Sequence, residues 1–181
     1  MKATKTALEG CFIIEPKIIV DSRGYFFESF NESSFAAATA QRIHFVQDNQ
    51  SFSSYGVLRG LHAQAGEYAQ AKLVRVLHGE VLDVAVDFRR DSPTFGKYIS
   101  VLLSAENKKQ LFVPRGFLHG FVVLSETAEF FYKCDNFYNK EAEIGVKFDD
   151  PTIAIDWRIT ADKMIISEKD QILPYLNQIA R

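Results

Sequence analysis

A chain of 181 residues and 20.5 kDa is long enough to close one core without disulfides or a structural metal. Its 21 basic and 23 acidic side chains leave a formal charge of -2, which excludes the broad positive field that nucleic-acid binding relies on, so an anionic ligand must be met by local cations. Glu15, Pro16 and Lys17 interrupt the one apolar stretch near the N-terminus, which argues against a leader or a membrane span and for a cytoplasmic protein. Cys11 and Cys134 lie in apolar surroundings with no disulfide or zinc spacing, and are expected as buried free thiols.

In chain order, alternation and aromatic or β-branched content predict strands over residues 12–19, 24–30, 43–51, 57–64, 71–78, 80–87, 96–103, 110–113, 120–123 and 129–137. Ser33, Ser34 and the Ala-rich run after them predict a capped short helix over 31–41. A second short helix is expected within 170–181, interrupted by Pro174. His78-Gly79-Glu80 reads as a tight hairpin turn and Asp91-Ser92-Pro93-Thr94 as another turn. Closely spaced strands with few helices predict an all-β fold, an antiparallel barrel or jelly roll, and no linker divides residues 1–181 into more than one domain.

Two stretches that read as β interior carry groups that are costly to bury unpaired: Arg59 and His62 in Val57-Leu58-Arg59-Gly60-Leu61-His62, and Lys72 ahead of Leu73-Val74-Arg75-Val76-Leu77. Polar residues held in such places usually serve a site. Strand parity separates Arg59 from His62, unless Gly60 permits a bulge that re-aims Arg59. A third stretch, Pro114-Arg115-Gly116-Phe117-Leu118-His119-Gly120, resembles the second motif of the cupin barrels. Where many cupins supply further metal ligands, this chain offers His62, Gln64 and Lys72. An ammonium group there disfavours a divalent cation, so a metal-free site with no cofactor is expected.

Over nearly its whole length the chain resembles the dTDP-4-dehydrorhamnose 3,5-epimerases. The matching segments are Asp21 to Glu28, Gln47 to Ser51, Gly56 to Gln64, Lys72 to Val76, Asp83 to Asp87, Ser92 to Gly96, Pro114 to Phe121, Tyr132-Lys133 and Asp149-Asp150-Pro151. Departures are Ala63 where an aromatic residue is common, Leu118 where alanine is, and Arg158 after Trp157; Leu118 is expected to narrow one wall of the pocket.

The resemblance implies a cupin-type jelly roll that epimerises dTDP-4-keto-6-deoxy-D-glucose at C3 and C5, giving dTDP-4-keto-L-rhamnose for rhamnose-containing cell-surface polysaccharides such as O antigen. His62 suits the base because an imidazole with a pKa near ~6.5 is largely unprotonated at neutral pH. By resemblance Asp170 is its carboxylate partner and Tyr132 the proton donor, with Tyr138 as the runner-up on the parity of a continuing strand. Lys72 would meet the enolate oxygen, and the planar fork of Arg59 suits a diphosphate.

Arg23, Glu28, Gln47, Asp48, Asn49, His119, Tyr138, Glu143 and Lys169 are carried over as nucleotide-sugar contacts. Apolar residues on both faces of the N-terminal strands, together with the resemblance, imply a homodimer that exchanges those strands and lends Arg23 and Glu28 to the partner's pocket. Other readings are an enzyme of the same fold that inverts C3 alone or shifts the ketone in another dTDP-deoxysugar route, and a metal-binding or non-catalytic cupin.

Overall fold

The computed structural model describes residues 1–179. Fourteen strands occur in chain order: β1 (Lys2–Lys5), β2 (Phe12–Glu15), β3 (Ile19–Asp21), β4 (Gly24–Phe26), β5 (Gln47–Ser54), β6 (Val57–Gln64), β7 (Lys72–His78), β8 (Glu80–Asp87), β9 (Tyr98–Ser104), β10 (Gln110–Val113), β11 (Phe117–Val123), β12 (Thr127–Cys134), β13 (Glu143–Gly145) and β14 (Ile165–Ile166). The helices are α1 (Glu32–Thr39), α2 (Glu168–Gln171) and α3 (Leu176–Ile179). One sheet runs β1-β2-β10-β7-β12-β5 and the facing sheet β13-β6-β11-β8-β9, with β14 added to β6 in parallel beside the antiparallel β13. The chain crosses repeatedly between the sheets, which makes the expected jelly roll.

The strands expected at 57–64, 80–87 and 110–113 match residue for residue. The expected hairpin at Gly79 is a correction: β7 bonds to β10 and β12, whereas β8 bonds to β11 and β9. Gly79 (φ +75) is therefore a corner between sheets, where a Cβ would meet Thr127 O at 2.1 Å. A glycine turn signals reversal but does not say which sheet receives the next strand.

Alternation along β8 sorts two cores. Val81 and Ala85 face the interior between the sheets with Val74, Phe121 and Phe130. Leu82, Val84 and Val86 face outward, where the C-terminal segment covers them with Val146, Ile153, Trp157 and Leu176. Leu118 belongs to this outer core and points away from His119, so it narrows no pocket wall. On the other sheet α1 lays fully buried Phe35 against Phe12, Ile14 and Phe112, a burial that stabilises by roughly 2 kcal/mol. The cap of α1 is Asn31, whose Oδ1 accepts from Ser34 N at 3.0 Å, rather than either serine. In the C-terminal segment α2 and α3 flank Pro174, the interruption expected there.

The strand expected over 12–19 stops at Glu15, because Pro16 has no N–H to continue β2, and the one expected over 24–30 stops at Phe26. β3 and β4 pair only with each other. Their hairpin exposes Ile19, Val20, Tyr25 and Phe26, each by more than half.

Candidate active site

His62 on β6 and His119 on β11 face each other in register in one sheet. Between His119 and Phe121 the register of β11 against β6 shifts, so Phe121 pairs with Arg59. Gly60 (φ +125) makes this possible: its backbone lies so close to β11 that a Cβ would meet Gly120 Cα at 2.6 Å. The irregularity brings Arg59 and His62 to the same cavity, as Gly60 allowed and simple parity forbade. Arg59 reaches across to β5, where its Nε and Nη2 donate to Ser53 Oγ at 3.2 Å each.

The cavity has a volume of about 630 Å³. On its β6 wall, His62 Nε2 lies 2.7 Å from Asp170 Oδ1, across 108 residues of chain. Parallel pairing of β14 with Val57 and Leu58 brings α2 to this wall, and Ser167 caps α2 by accepting from Asp170 N at 3.2 Å. Asp170 is buried, and its Oδ2 also accepts from Gly60 N at 3.3 Å. Burial works to raise its pKa, but the hydrogen bond and charge of His62, then Gly60 N–H and Ser167, outweigh it and hold the carboxyl below its ordinary value. An ionised Asp170 can only accept, so a neutral His62 carries its hydrogen on Nε2 and leaves the Nδ1 lone pair free.

The facing wall comes from the other sheet. Tyr132 pairs with Asn49 on β5 and Val74 on β7, and Lys72 stands two pairs further along, opposite Cys134. The Lys72 ammonium lies 5.7 Å from the Tyr132 ring centroid. Burial lowers the pKa of Lys72, opposed by the charges of Cys134, Asp83 and Glu143. Burial also pushes the Tyr132 phenol up to about 12, so it keeps its proton. Asn49 Nδ2 donates to Cys134 Sγ at 3.7 Å behind them.

At the cavity floor His119 Nε2 lies 3.0 Å from each oxygen of fully buried Asp83. Burial raises the pKa of Asp83, with His119 and then Lys72 opposing. The sequence reading passed over Asp83, although an acid amid Val81-Leu82 and Val84-Ala85-Val86 was signal enough. Ser53 and Ser167 were missed for lack of any signal beyond a turn-like serine.

An adjoining space of about 360 Å³ forms the mouth, lined by Gln47, Ala63, Gln64, Tyr138, Glu143 and Lys169. Tyr138 OH donates to Glu143 Oε2 at 2.8 Å, and Lys169 Nζ is paired with Glu143 Oε1. Burial alone would raise the pKa of Glu143; Lys169, Tyr138 and His62 together lower it. The parity reasoning for Tyr138 is corrected, because β12 ends at Cys134 and Tyr138 stands in an exposed loop.

Three expected contacts lie outside these spaces. Asp48 alternates with Gln47 and Asn49 to the outer face, where it pairs with Lys133 at 2.9 Å. Arg23 is exposed on the β3–β4 hairpin and pairs with Asp21 at 2.6 Å. Glu28 accepts from Asn31 Nδ2 at 3.2 Å, well apart from the histidines. Among the described residues no three His, Cys, Asp or Glu side chains converge as metal ligands, and no helix is long and apolar enough to cross a membrane.

A family model for dTDP-4-dehydrorhamnose 3,5-epimerase matches residues 5–178. The dTDP-4-dehydrorhamnose 3,5-epimerase of Escherichia coli (strain K12) is 52% identical over 181 residues, covering 100% of this chain and 97% of that protein. The crystal structure of the dTDP-4-dehydrorhamnose 3,5-epimerase from Elizabethkingia anophelis NUHP1 has a TM-score of 0.96 and 60% identity, covering 100% of this chain and 99% of that one. The dTDP-6-deoxy-D-glucose-3,5-epimerase of Legionella pneumophila Philadelphia 1, in complex with dTDP-4-keto-L-rhamnose, has a TM-score of 0.94 and 48% identity over 98% of this chain and 94% of that one. Sequence, fold and site chemistry agree along the whole chain, which belongs to the dTDP-4-dehydrorhamnose 3,5-epimerase family.

Proposed function

We propose that the protein inverts C3 and C5 of dTDP-4-keto-6-deoxy-D-glucose, giving dTDP-4-keto-L-rhamnose on the route to dTDP-L-rhamnose. One observation carries this reading: an imidazole oriented by an ionised carboxylate and a protonated phenol line opposite walls of one cavity. Inversion needs that geometry, because the proton must leave one face of the ring and return to the other.

The C4 ketone acidifies the protons on both neighbouring carbons. His62 Nδ1 takes one of them, the electron pair moves onto the C4 oxygen, and Asp170 stabilises the imidazolium that forms. The Lys72 ammonium offsets the enolate charge in a dry site, a contribution of about 3 kcal/mol to the barrier. Tyr132 returns a proton from the other face, after which water reprotonates the phenolate and deprotonates His62. Protons and electrons balance without a cofactor.

Arg59, beside the dyad, suits the diphosphate because its fork meets two phosphate oxygens at once. Asn49, His119 and the mouth residues Gln47, Tyr138, Glu143 and Lys169 complete the nucleotide-sugar contacts in this reading. We read the whole chain as one such domain, working in the cytoplasm, in keeping with two buried free thiols. Arg23 and Glu28 enter as residues lent to a partner through exchanged N-terminal strands in a homodimer. The apolar hairpin left exposed beside them supports that assembly, since a patch of this kind is usually covered.

Proton NMR of dTDP-4-keto-6-deoxy-D-glucose in heavy water tests the reading. Wild type is expected to erase the C3 and C5 proton signals and His62→Asn to spare both. Exchange at C3 alone would reduce the enzyme to a monoepimerase, and exchange at neither carbon would end the assignment.

A further inference from the structure

The cavity contains a second imidazole–carboxylate pair, whose histidine the proposed function uses only as a substrate contact and whose carboxylate, Asp83, it leaves without a task. His62–Asp170 and His119–Asp83 combine the same two side-chain types, and the histidines are register partners on adjacent strands. Their surroundings differ. Asp170 receives Gly60 N–H as well as His62, so it holds its charge with help from the backbone. Asp83 is fully buried, and both its oxygens share a single donor, His119 Nε2. Lys72, across the cavity, favours charge on Asp83 through space but makes no hydrogen bond to it. A bare carboxylate with two oxygens on one neutral N–H is poorly compensated at that depth.

One proton shared within the pair removes this imbalance. If it sits on Asp83, the hydroxyl donates to Nε2 and neutral His119 must carry its own hydrogen on Nδ1. If it sits on His119, the imidazolium carries hydrogens on both nitrogens. Either way Nδ1 is a donor. Among the described residues Nδ1 makes no hydrogen bond and is not one of the sealed unpartnered atoms, so it opens on the cavity that His119 lines. Phe130 holds the ring from the side, with centroids 6.0 Å apart and an interplanar angle of 26°. The charged and titratable groups that line the cavity with it are Lys72 and Tyr132 from the opposite sheet, His62 and Arg59 from β6, and Lys169 and Asp170 from α2.

We propose that Asp83 is a positioning residue which, by sharing a proton with His119, fixes His119 Nδ1–H as a hydrogen-bond donor to the substrate oxygen that takes up the enolate charge. The inference rests on the epimerase reading. Two identical residue pairs then do opposite work, His62 accepting a proton and His119 supplying a hydrogen bond, because their carboxylates sit in opposite surroundings.

The test combines nitrogen-15 NMR of the histidine-labelled full-length protein with kinetics. At about pH 8, where a free imidazole is neutral, His119 Nδ1 is expected to carry a hydrogen and His62 Nδ1 to lack one, His119→Gln identifying the signals. A bare His119 Nδ1 overturns the proposal, and this arm uses wild type, so it holds even if a variant does not fold.

Asp83→Leu, matched in size, is expected to lower kcat about 100-fold while leaving KM and thymidine diphosphate affinity within about threefold. In His119→Gln the amide donates without a carboxylate behind it, so adding Asp83→Leu is expected to cost less than about threefold more. A further 100-fold loss in that double variant would mean that Asp83 does not act through His119. Wild type that exchanges neither C3 nor C5 proton overturns the epimerase reading itself, whatever the nitrogen spectra show about the pair.

Discussion

Replacing Asp170 with asparagine changes one atom and should reverse the proton placement of His62, the proposed base. The two carboxylate oxygens face two donors, His62 Nε2 at 2.7 Å and Gly60 N at 3.3 Å. An asparagine has one oxygen. Gly60 N–H is fixed by the backbone, so the oxygen goes there and the amide NH₂ turns to His62. Nε2 must then accept, its hydrogen moves to Nδ1, and the lone pair facing the substrate is lost.

Loss of a hydrogen bond to a charged group alone costs about 1.5–3 kcal/mol, or roughly 10–150-fold. Inverting the tautomer adds to this, as in triads where the same change costs about 10⁴ in kcat. Asp170→Asn is therefore expected to lose at least ~10³ in kcat, about 4 kcal/mol. Asp170→Ala, which loses the bond without imposing the wrong tautomer, should lose only ~100-fold. Rates of C3 and C5 exchange in heavy water measure both, with thymidine diphosphate titration to show that binding survives. An Asp170→Asn enzyme as active as Asp170→Ala would refute the reasoning.

Tyr132→Phe should retain proton wash-out at His62 yet give almost no inverted product, because the return to the other face is lost; wash-out and inversion falling together would contradict two separate groups. Mixing inactive Arg23→Ala with inactive His62→Asn should restore about a quarter of wild-type activity if strands are exchanged, since half the dimers carry one intact site; no recovery on refolding together would argue against a shared pocket. Asp87, fully buried and bonded by Arg89, Ser92 and Thr94, has its carboxyl held well below the ordinary value: burial works to raise it, and those three partners outweigh burial. Its contribution should be complete above the unfolded pKa of about 4 and fade as acid titrates through the folded value below. Asp87→Asn should cost about 3 kcal/mol at neutral pH and flatten the acid limb of a thermal-melting profile.

Strands were legible where an apolar or alternating run ended at or just before a turn residue, as with Gly66 after β6, Asp87 at the end of β8 and Pro114 after β10. The Gly79 corner was not, because local chain reversal carries no record of the sheet that receives the next strand. Within the site, His62, Lys72 and His119 announced themselves as polar residues in apolar strands. Asp83 gave the same signal and was passed over as part of a matching segment. The partnership of His62 with Asp170 spans 108 residues, and only the resemblance pointed to it. Tyr138 failed by extrapolation: Asp135 Oδ1 accepts from Ala71 N at 2.6 Å where β12 ends, and the parity of a strand says nothing about the loop after it.

His62, Lys72, His119 and Tyr132 all stand on strands bonded on both sides, whereas Tyr138 and Lys169 stand outside the sheets. On the proposed reading, the fold separates what reacts from what selects. Swapping residues 136–142 together with Lys169 is expected to retune the accepted nucleotide while leaving the proton-transfer walls intact, which makes this rim the natural target for libraries seeking new activated sugars.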